Sequence, residues 1–589
     1  MGAQRSAAAR WGGRVLAGVG VLAAVGLLPW LSRTDPARAI MHARYAEREP
    51  TPEALAAVRA ETGLDDGPLA VLGRWLGGLL RGDLGNSWVS GQPVGSDAFA
   101  ALGVSLTLMG AALLVAVVLA ALLALRTLRR GALGRVPRSA RAGAVGAVLA
   151  ALPEFLLASV LATVFAVQLG WFPALGWGEA HEAVLPALAM GVPAGAVLGR
   201  LLDDALPAAF AEPWARANAA AGLPPARIAR HALRRVLPPL LPQFGFVAVG
   251  LTGGAVAVET LFAVPGLGGL AREAALAQDL PVLQACVLLL LLVGFGAGAA
   301  VGAGRRVLLG PALDAAALPG LRRPRVAVGT VRVLGAVCLG ALLLALIVAG
   351  LLRDPLHVDT AARLVAPGAA HPLGTDSLGR DVLARLGHGA ARTCLTAVGI
   401  AGVVLVAGVL VGLAGRWTEG LREVVNTLPP VLAGLVVAGV FGPGAWGAAA
   451  AVALVSWAPL AAHTAALHEE ERAAAHLESA VALGASRRHI LRRHVLPGVL
   501  PPVVRNALLR IPALALALAS LGFLGLGAEP PAPEWGRMLS ENLPYAERAP
   551  WAVLAPAGGL VAVGVLAVLL GALGTGERVR RDARREAFA

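Results

Sequence analysis

The sequence predicts an all-α membrane protein of about twelve transmembrane helices in two repeated halves. Three observations carry this. The 589 residues are 57% hydrophobic and 15% charged, with a mean hydropathy of +0.72, whereas soluble domains carry roughly 25% charged residues. Apolar runs long enough to cross a bilayer recur along the whole chain. A basic loop centred on one glycine occurs twice, with Gly222 and Gly484 262 positions apart, a little under half the chain.

The spans fall near residues 13–31, 99–125, 143–169, 183–202, 240–262 and 282–303, then near 328–352, 394–415, 424–442, 446–467, 503–524 and 551–573. The basic start and the apolar run Val15–Leu31 also fit a cleaved signal peptide. No convincing small-x-small site follows Pro29-Trp30, so a retained first span is favoured. Twelve spans put both termini on one side. Every basic residue is arginine, and 35 of the 50 lie in segments on the side of the termini. The opposite segments are longer and hold only 15. Both termini are therefore expected in the cytoplasm of a multi-pass cytoplasmic-membrane protein. The net charge of +14 then belongs to inside loops, and no nucleic-acid partner is expected. The halves are 1–312 and 328–589, joined by a cytoplasmic linker 313–327 with Pro319, Pro324 and several arginines. External loops cover 32–98 and 353–392, and the glycine loops cover about 203–239 and 468–501 on the inside.

Each inside loop reads as a helix of small residues, a glycine turn and a basic second helix that ends before proline. The second copy runs Glu478-Ser479-Ala480, Gly484-Ala485, Ile490 and Leu496-Pro497. The first runs Arg216, Ala220, Gly222-Leu223, Ile228 and Leu237-Pro238. Small side chains let a partner surface approach closely, and glycine permits a turn that a Cβ resists. A basic tether between spans would have the same charge, but it would not need the arrangement twice. The loops resemble the loop by which permeases of ATP-binding-cassette (ABC) importers dock into their ATPase. Its pattern is roughly Glu-Ala-Ala, three residues, Gly, then Ile/Val-x-Leu-Pro. Ser479 departs from the pattern in the second loop. In the first, Arg216 stands in place of the acid and the spacing to Leu237-Pro238 is longer.

The external segments carry a matching resemblance. Arg81-Gly82-Asp83-Leu84-Gly85-Asn86-Ser87, followed by Gly91-Gln-Pro93-Val94, resembles the first external loop of one permease subunit of dipeptide, oligopeptide and nickel ABC importers. Leu373-Gly374-Thr375-Asp376, Gly379-Arg380-Asp381 resembles the matching signature of the partner subunit. Locally, Thr375 or Asp376 can cap a helix, and Arg380 and Asp381 can pair with neighbouring chain. Pro265-Gly266 and Gly525, Gly527 end the fifth span of each half in a glycine-rich re-entrant turn. Such irregular backbone survives at membrane depth only where protein or water covers it. The whole chain thus resembles a fusion of the two permease subunits, each half a type I importer transmembrane domain with one leading span and a five-span core. The resemblance implies two cytoplasmic ATPase domains on the inside loops and an external solute-binding protein. It also implies transport of peptides, nickel chelates or a related small solute without chemistry in this chain.

Other functions leave little support in the residues. A phosphate-binding Walker A loop needs a lysine, and the chain has none. ATP is therefore expected on separate subunits and no cofactor in this chain. Cys286, Cys338 and Cys394 have no metal-like spacing, and no catalytic or metal motif occurs. A membrane enzyme would need convergent acids or histidines near one membrane face. An ion-coupled secondary transporter would also repeat its halves, but it needs coupling-ion groups and no docking loops. Glu154 and His463 are the intramembrane ionisable candidates.

Overall fold

The computed structural model describes residues 18–31, 37–38, 40–41, 51–62, 66–135, 146, 149–150, 152–309, 330–426, 428–473 and 475–587. After the helical residues 18–26 and Leu28–Leu31, the first half comprises α1 (Pro52–Thr62), α2 (Pro68–Leu80), α3 (Val94–Ala132), α4 (Glu154–Leu161, continued by a π-helical Ala162–Gln168), α5 (Val184–Ala211), α6 (Pro213–Ala220), α7 (Pro225–Phe262), α8 (Leu267–Leu276) and α9 (Leu280–Leu309). The second comprises α10 (Thr330–Leu351), α11 (Val382–Leu413), α12 (Glu419–Asn426), α13 (Pro430–Phe441), α14 (Ala445–Arg472), α15 (Ala475–Ala482), α16 (Arg487–Ile490), α17 (Leu496–Phe523), α18 (Trp535–Asn542) and α19 (Pro550–Ala587). Among the described residues there is no strand, only the isolated bridges Asn86–Pro93 and Thr375–Asp381. An all-helical chain follows from a bilayer that offers backbone groups no water to bond.

Among the described residues nine helices are long and apolar enough to cross a membrane, ten if α12 and α13 form one span. The expected twelve are not reached, for identifiable reasons. The first span lies partly outside the described residues, and the third is the short apolar helix Glu154–Gln168. The linker 313–327 also lies outside them.

Two compact units form, and neither is a sequence half. One contains residues 1–102, 266–291 and 388–541; the other contains 103–265, 292–387 and 542–589. In the second unit α3 and α5 meet along a stripe of glycines. A Cβ at Gly191 would lie 2.6 Å from the Ala112 carbonyl, at Gly195 2.7 Å from that of Ala116, and at Gly199 3.1 Å from Ala120 Cα. Glycines at every fourth position let backbones approach where lipid gives no hydrophobic drive for helix pairing. In the first unit α11 uses Gly408 and Gly412 in the same way against Leu460, Ala461 and Thr464 of α14.

The basic helices do not end before proline, contrary to the sequence reading. α7 runs unbroken through Pro238, Pro239 and Pro242 into the fifth span. In the second half a π-helical turn, Leu491–Val495, precedes Pro497, and the chain stays helical to Phe523. A proline clashes with the carbonyl four residues back, and a wider turn at that point relieves it.

Candidate functional site

The two glycine turns have the same construction. α6 and α15 are eight residues long and start nine positions before their glycine. Gly222 has φ +73° and Gly484 φ +80°. The Gly222 N–H donates to Ala219 O at 3.1 Å and the Leu223 N–H to Asn218 O at 3.1 Å. The Gly484 N–H donates to Val481 O at 3.0 Å and the Ala485 N–H to Ala480 O at 3.0 Å. This paired capping is the glycine-terminated helix end that needs a left-handed residue. Among the described residues, nothing beyond the chain neighbours lies within 4 Å of a Cβ added at either glycine. The conformation, not space, therefore selects glycine.

The return helix is fixed to the first by side chains eight positions before each glycine. Trp214 meets His231 edge-on, with ring centroids 6.4 Å apart, and the equivalent His476 lies 5.8 Å from His494. The contacted histidine comes nine residues after Gly222 but ten after Gly484. The π-helical turn 491–495 takes up that extra residue. Arg235 donates to Glu212 at 2.9 and 3.2 Å, and Trp214 Nε1 donates to the same carboxylate at 2.8 Å.

Arg216 and Ala220 are exposed, while Leu223 packs half-buried on an apolar cluster under the turn. Ile228 is 3% exposed inside that cluster, so its side chain is absent from the outer surface. Ser479 and Pro497 are exposed; Ala480, Ala485, Ile490 and Leu496 are half-buried. The Glu478 side chain lies outside the described residues. Sequence reasoning missed Val481 and Leu483, which are 60% and 88% exposed. Large apolar side chains bared at a helix end were the signal it could have used.

In the motif after α2, Arg81 closes the helix, and Gly82 and Gly85 take φ +77° and +85°. Asp83 accepts from the Gly85 N–H at 2.8 Å and keeps the turn tight. The anchor is further on. Ser87 Oγ donates to Asp279, whose carboxylate also accepts the Trp88 N–H at 3.0 Å. Asp279 stands just before α9, so one buried acid ties the loop after α2 to the start of α9. Arg74, Trp75, Asp83, Trp88 and Gln284 line a cavity of about 410 Å³ there.

In the second motif Asp376 is 1% exposed and accepts from Arg380 Nε at 2.8 Å and Arg385 Nη1 at 2.7 Å. Its other oxygen accepts the Leu378 and Arg380 N–H groups, both at 2.9 Å. The cap of α11 is Asp381, not Thr375 or Asp376: its Oδ1 accepts the Ala384 N–H at 2.9 Å. Burial pushes the Asp381 carboxyl up, but the Ala384 N–H, His371 and Arg353 outweigh it and hold it below its ordinary value. Thr375 instead donates to Ala362 O and accepts the Val365 N–H. Gly374 and Gly379 have φ +73° and +78°.

In the first re-entrant turn Pro265 is exposed, and the buried Gly266 starts α8. Arg272 on α8 donates through Nε to Leu524 O at 2.8 Å, capping the C-terminal end of α17. Gly525 follows with φ +79°. Gly527 packs on Gly522, where its Cβ would lie 2.8 Å from Gly522 Cα. Both glycines leave room for Glu534, whose carboxylate occupies the place of a Gly522 side chain. Glu154, at the start of α4, packs on Gly254, and His463 lies in α14.

Burial pushes the Glu534 carboxyl up to about 8, against the Gly536 N–H, Arg537 and Arg392. The unfolded chain ionises it near 4.5. Between these values the folded state binds the extra proton, so stability falls as pH rises through this window and levels off above it. Thermal unfolding of the purified protein is expected to show this decline, by on the order of 1 kcal/mol per pH unit. Glu534→Gln is expected to flatten it. An unchanged slope in Glu534→Gln would overturn the assignment.

Residues 116–307 and 400–575 each match the family described as binding-protein-dependent transport system inner membrane component. A Brucella suis biovar 1 protein named for a peptide permease role is 36% identical over 242 residues, 39% of this chain and 79% of its own length. The dipeptide transport system permease protein of Alkalihalophilus pseudofirmus is 32% identical over 248 residues, 39% of this chain and 79% of that one. The di/tripeptide transport system permease protein of Pseudomonas aeruginosa is 35% identical over 218 residues, 36% of this chain and 71% of that one. Each relative is therefore about as large as one half of this chain. None of these three names mentions nickel, and the secondary-transporter alternative is not favoured. With the family's domain present twice, the chain belongs to the binding-protein-dependent transport system inner membrane components, as a fused permease component of an ABC transport system.

Proposed function

We propose that this chain supplies both transmembrane halves of an ATP-driven importer of short peptides. Two cytoplasmic ATPase domains seat on the Gly222 and Gly484 turns, and an extracytoplasmic binding protein delivers the peptide. The termini are cytoplasmic, ATP sits on the partner subunits, and the chain converts between two conformations without chemistry of its own. The observation that carries this reading is the pair of turns: same helix length, same capping bonds, same left-handed glycine, once in each family-matched stretch. A positive-inside tether needs none of that duplication. The peptide substrate is supported by the relatives' names.

Affinity purification of the chain from its native membrane is expected to bring down an ABC ATPase. The purified chain alone is expected neither to bind nor to hydrolyse ATP. With ATPase and binding protein in liposomes, labelled dipeptide should accumulate only with ATP. Accumulation by the chain alone under a proton gradient would overturn the reading.

A further inference from the structure

Helix α2 reaches the cavity of the first motif through Arg74 and Trp75, but its leucines take no part there, and it is apolar on two sides. At 3.6 residues per turn Leu72, Trp75 and Leu79 share one face. That face packs on the helical segment 18–31: a Cβ at Gly26 would lie 2.7 Å from Leu72 and 2.7 Å from Trp75. Leu69, Leu76 and Leu80, at i, i+7 and i+11, share the other face. They are 83%, 36% and 89% exposed. Helix α2 contains no acid, and its single charge, Arg74, leaves from a different side together with Arg81 just beyond its end.

The segment under α2 has the same character. Val19, Trp30 and Leu31 are 57%, 52% and 42% exposed. The bare leucines of α2 thus stand on a helix packed against a segment whose own apolar side chains are bared. Trp30 and Trp75 supply the amphipathic rings that collect at a membrane–water boundary. An apolar stripe beside a span, with arginines on another side, fits the region between acyl chains and lipid phosphates.

We propose that α2 is an interfacial helix that lies on the bilayer at the end of the first span, with Leu69, Leu76 and Leu80 in the lipid. The inference needs only insertion of the chain in a membrane, not the peptide or ATPase reading. Arg74 pairs with Asp66 beside the cavity, so the polar side of the helix stays away from the acyl chains. The external loop is thereby held down close to the membrane plane.

The test uses a full chain with Cys286, Cys338 and Cys394 changed to Ser, reconstituted in phosphatidylglycerol–phosphatidylethanolamine vesicles. Single cysteines at Leu69, Leu76 and Leu80, and at the exposed Ala70 on another face, carry a bimane label. All four positions face outward on α2, so the label displaces no packed core. Nitroxide-labelled lipids are expected to quench the three leucine positions roughly threefold or more over Ala70, and aqueous iodide the reverse. Equal iodide quenching at all four positions would overturn the proposal. So would protection of the leucine positions that appears only when the binding protein is added, because that would make this face a protein-docking surface.

Discussion

Gly484→Val and Gly222→Val are each expected to leave the chain inserted in the membrane while reducing coupled transport about tenfold or more. Both glycines sit at positive φ, +80° and +73°. A residue with a Cβ is strained there by roughly 1–2 kcal/mol, and a β-branched one by more. Among the described residues nothing else crowds these positions. A many-span protein absorbs such local strain without unfolding, but the turn relaxes and the return helix swings away from the surface offered to a partner. Asparagine tolerates the left-handed conformation, so Gly484→Asn is expected to retain most of the coupling. The measurement is peptide uptake and ATPase activity of the reconstituted complex, normalised to inserted protein. Full coupling in both valine variants would reduce the turns to tethers and remove the main physical support for the proposed function. Loss in the asparagine variant as well would assign the requirement to close approach of the partner instead of backbone conformation.

Asp376→Ala is expected to cost about 3–5 kcal/mol of stability, the usual penalty for leaving a buried charge without its partner. It takes the shared carboxylate away from two buried guanidinium groups, since Arg380 is 6% exposed and Arg385 1%. It also removes the acceptor for two backbone N–H groups that shape the Gly379 turn. Asp376→Asn keeps the shape and one acceptor oxygen and is expected to lose less. The thermal midpoint of the detergent-solubilised protein should fall by several degrees in the alanine variant. A shift within error would mean that the carboxylate contributes little to holding the two arginines.

The two predictions rest on different kinds of legibility. Gly222 and Gly484 could be read from the chain because the signal is local. A helix of small residues, one glycine and a basic continuation lie within about twenty residues, and the repeat doubles the signal. The Asp376 cluster was half legible. The ordered run of residues marked it, but local chemistry put the helix cap on Thr375 or Asp376, and the fold gives that role to Asp381. Both positions carry carboxylates or hydroxyls in reach of a helix start, and only the bridge between Thr375 and Asp381 decides which one faces it.

Hydropathy, arginine placement and the 262-residue repeat determined by themselves an all-helical membrane protein in two halves, because a bilayer imposes length and polarity on each helix separately. The absence of lysine likewise excluded a Walker A loop on composition alone. The fold decided whatever depends on a distant partner. Ser87 and Trp88 meet Asp279 across about 190 residues of chain. Glu534 finds its cavity between Gly522 and Gly527, and the Gly191, Gly195 and Gly199 stripe finds α3. Helix periodicity says which face of a segment is small or apolar, not which neighbour covers it. Nor could the prolines be read as helix ends, because packed neighbours and a wider turn at 491–495 keep the chain helical where an isolated peptide would break.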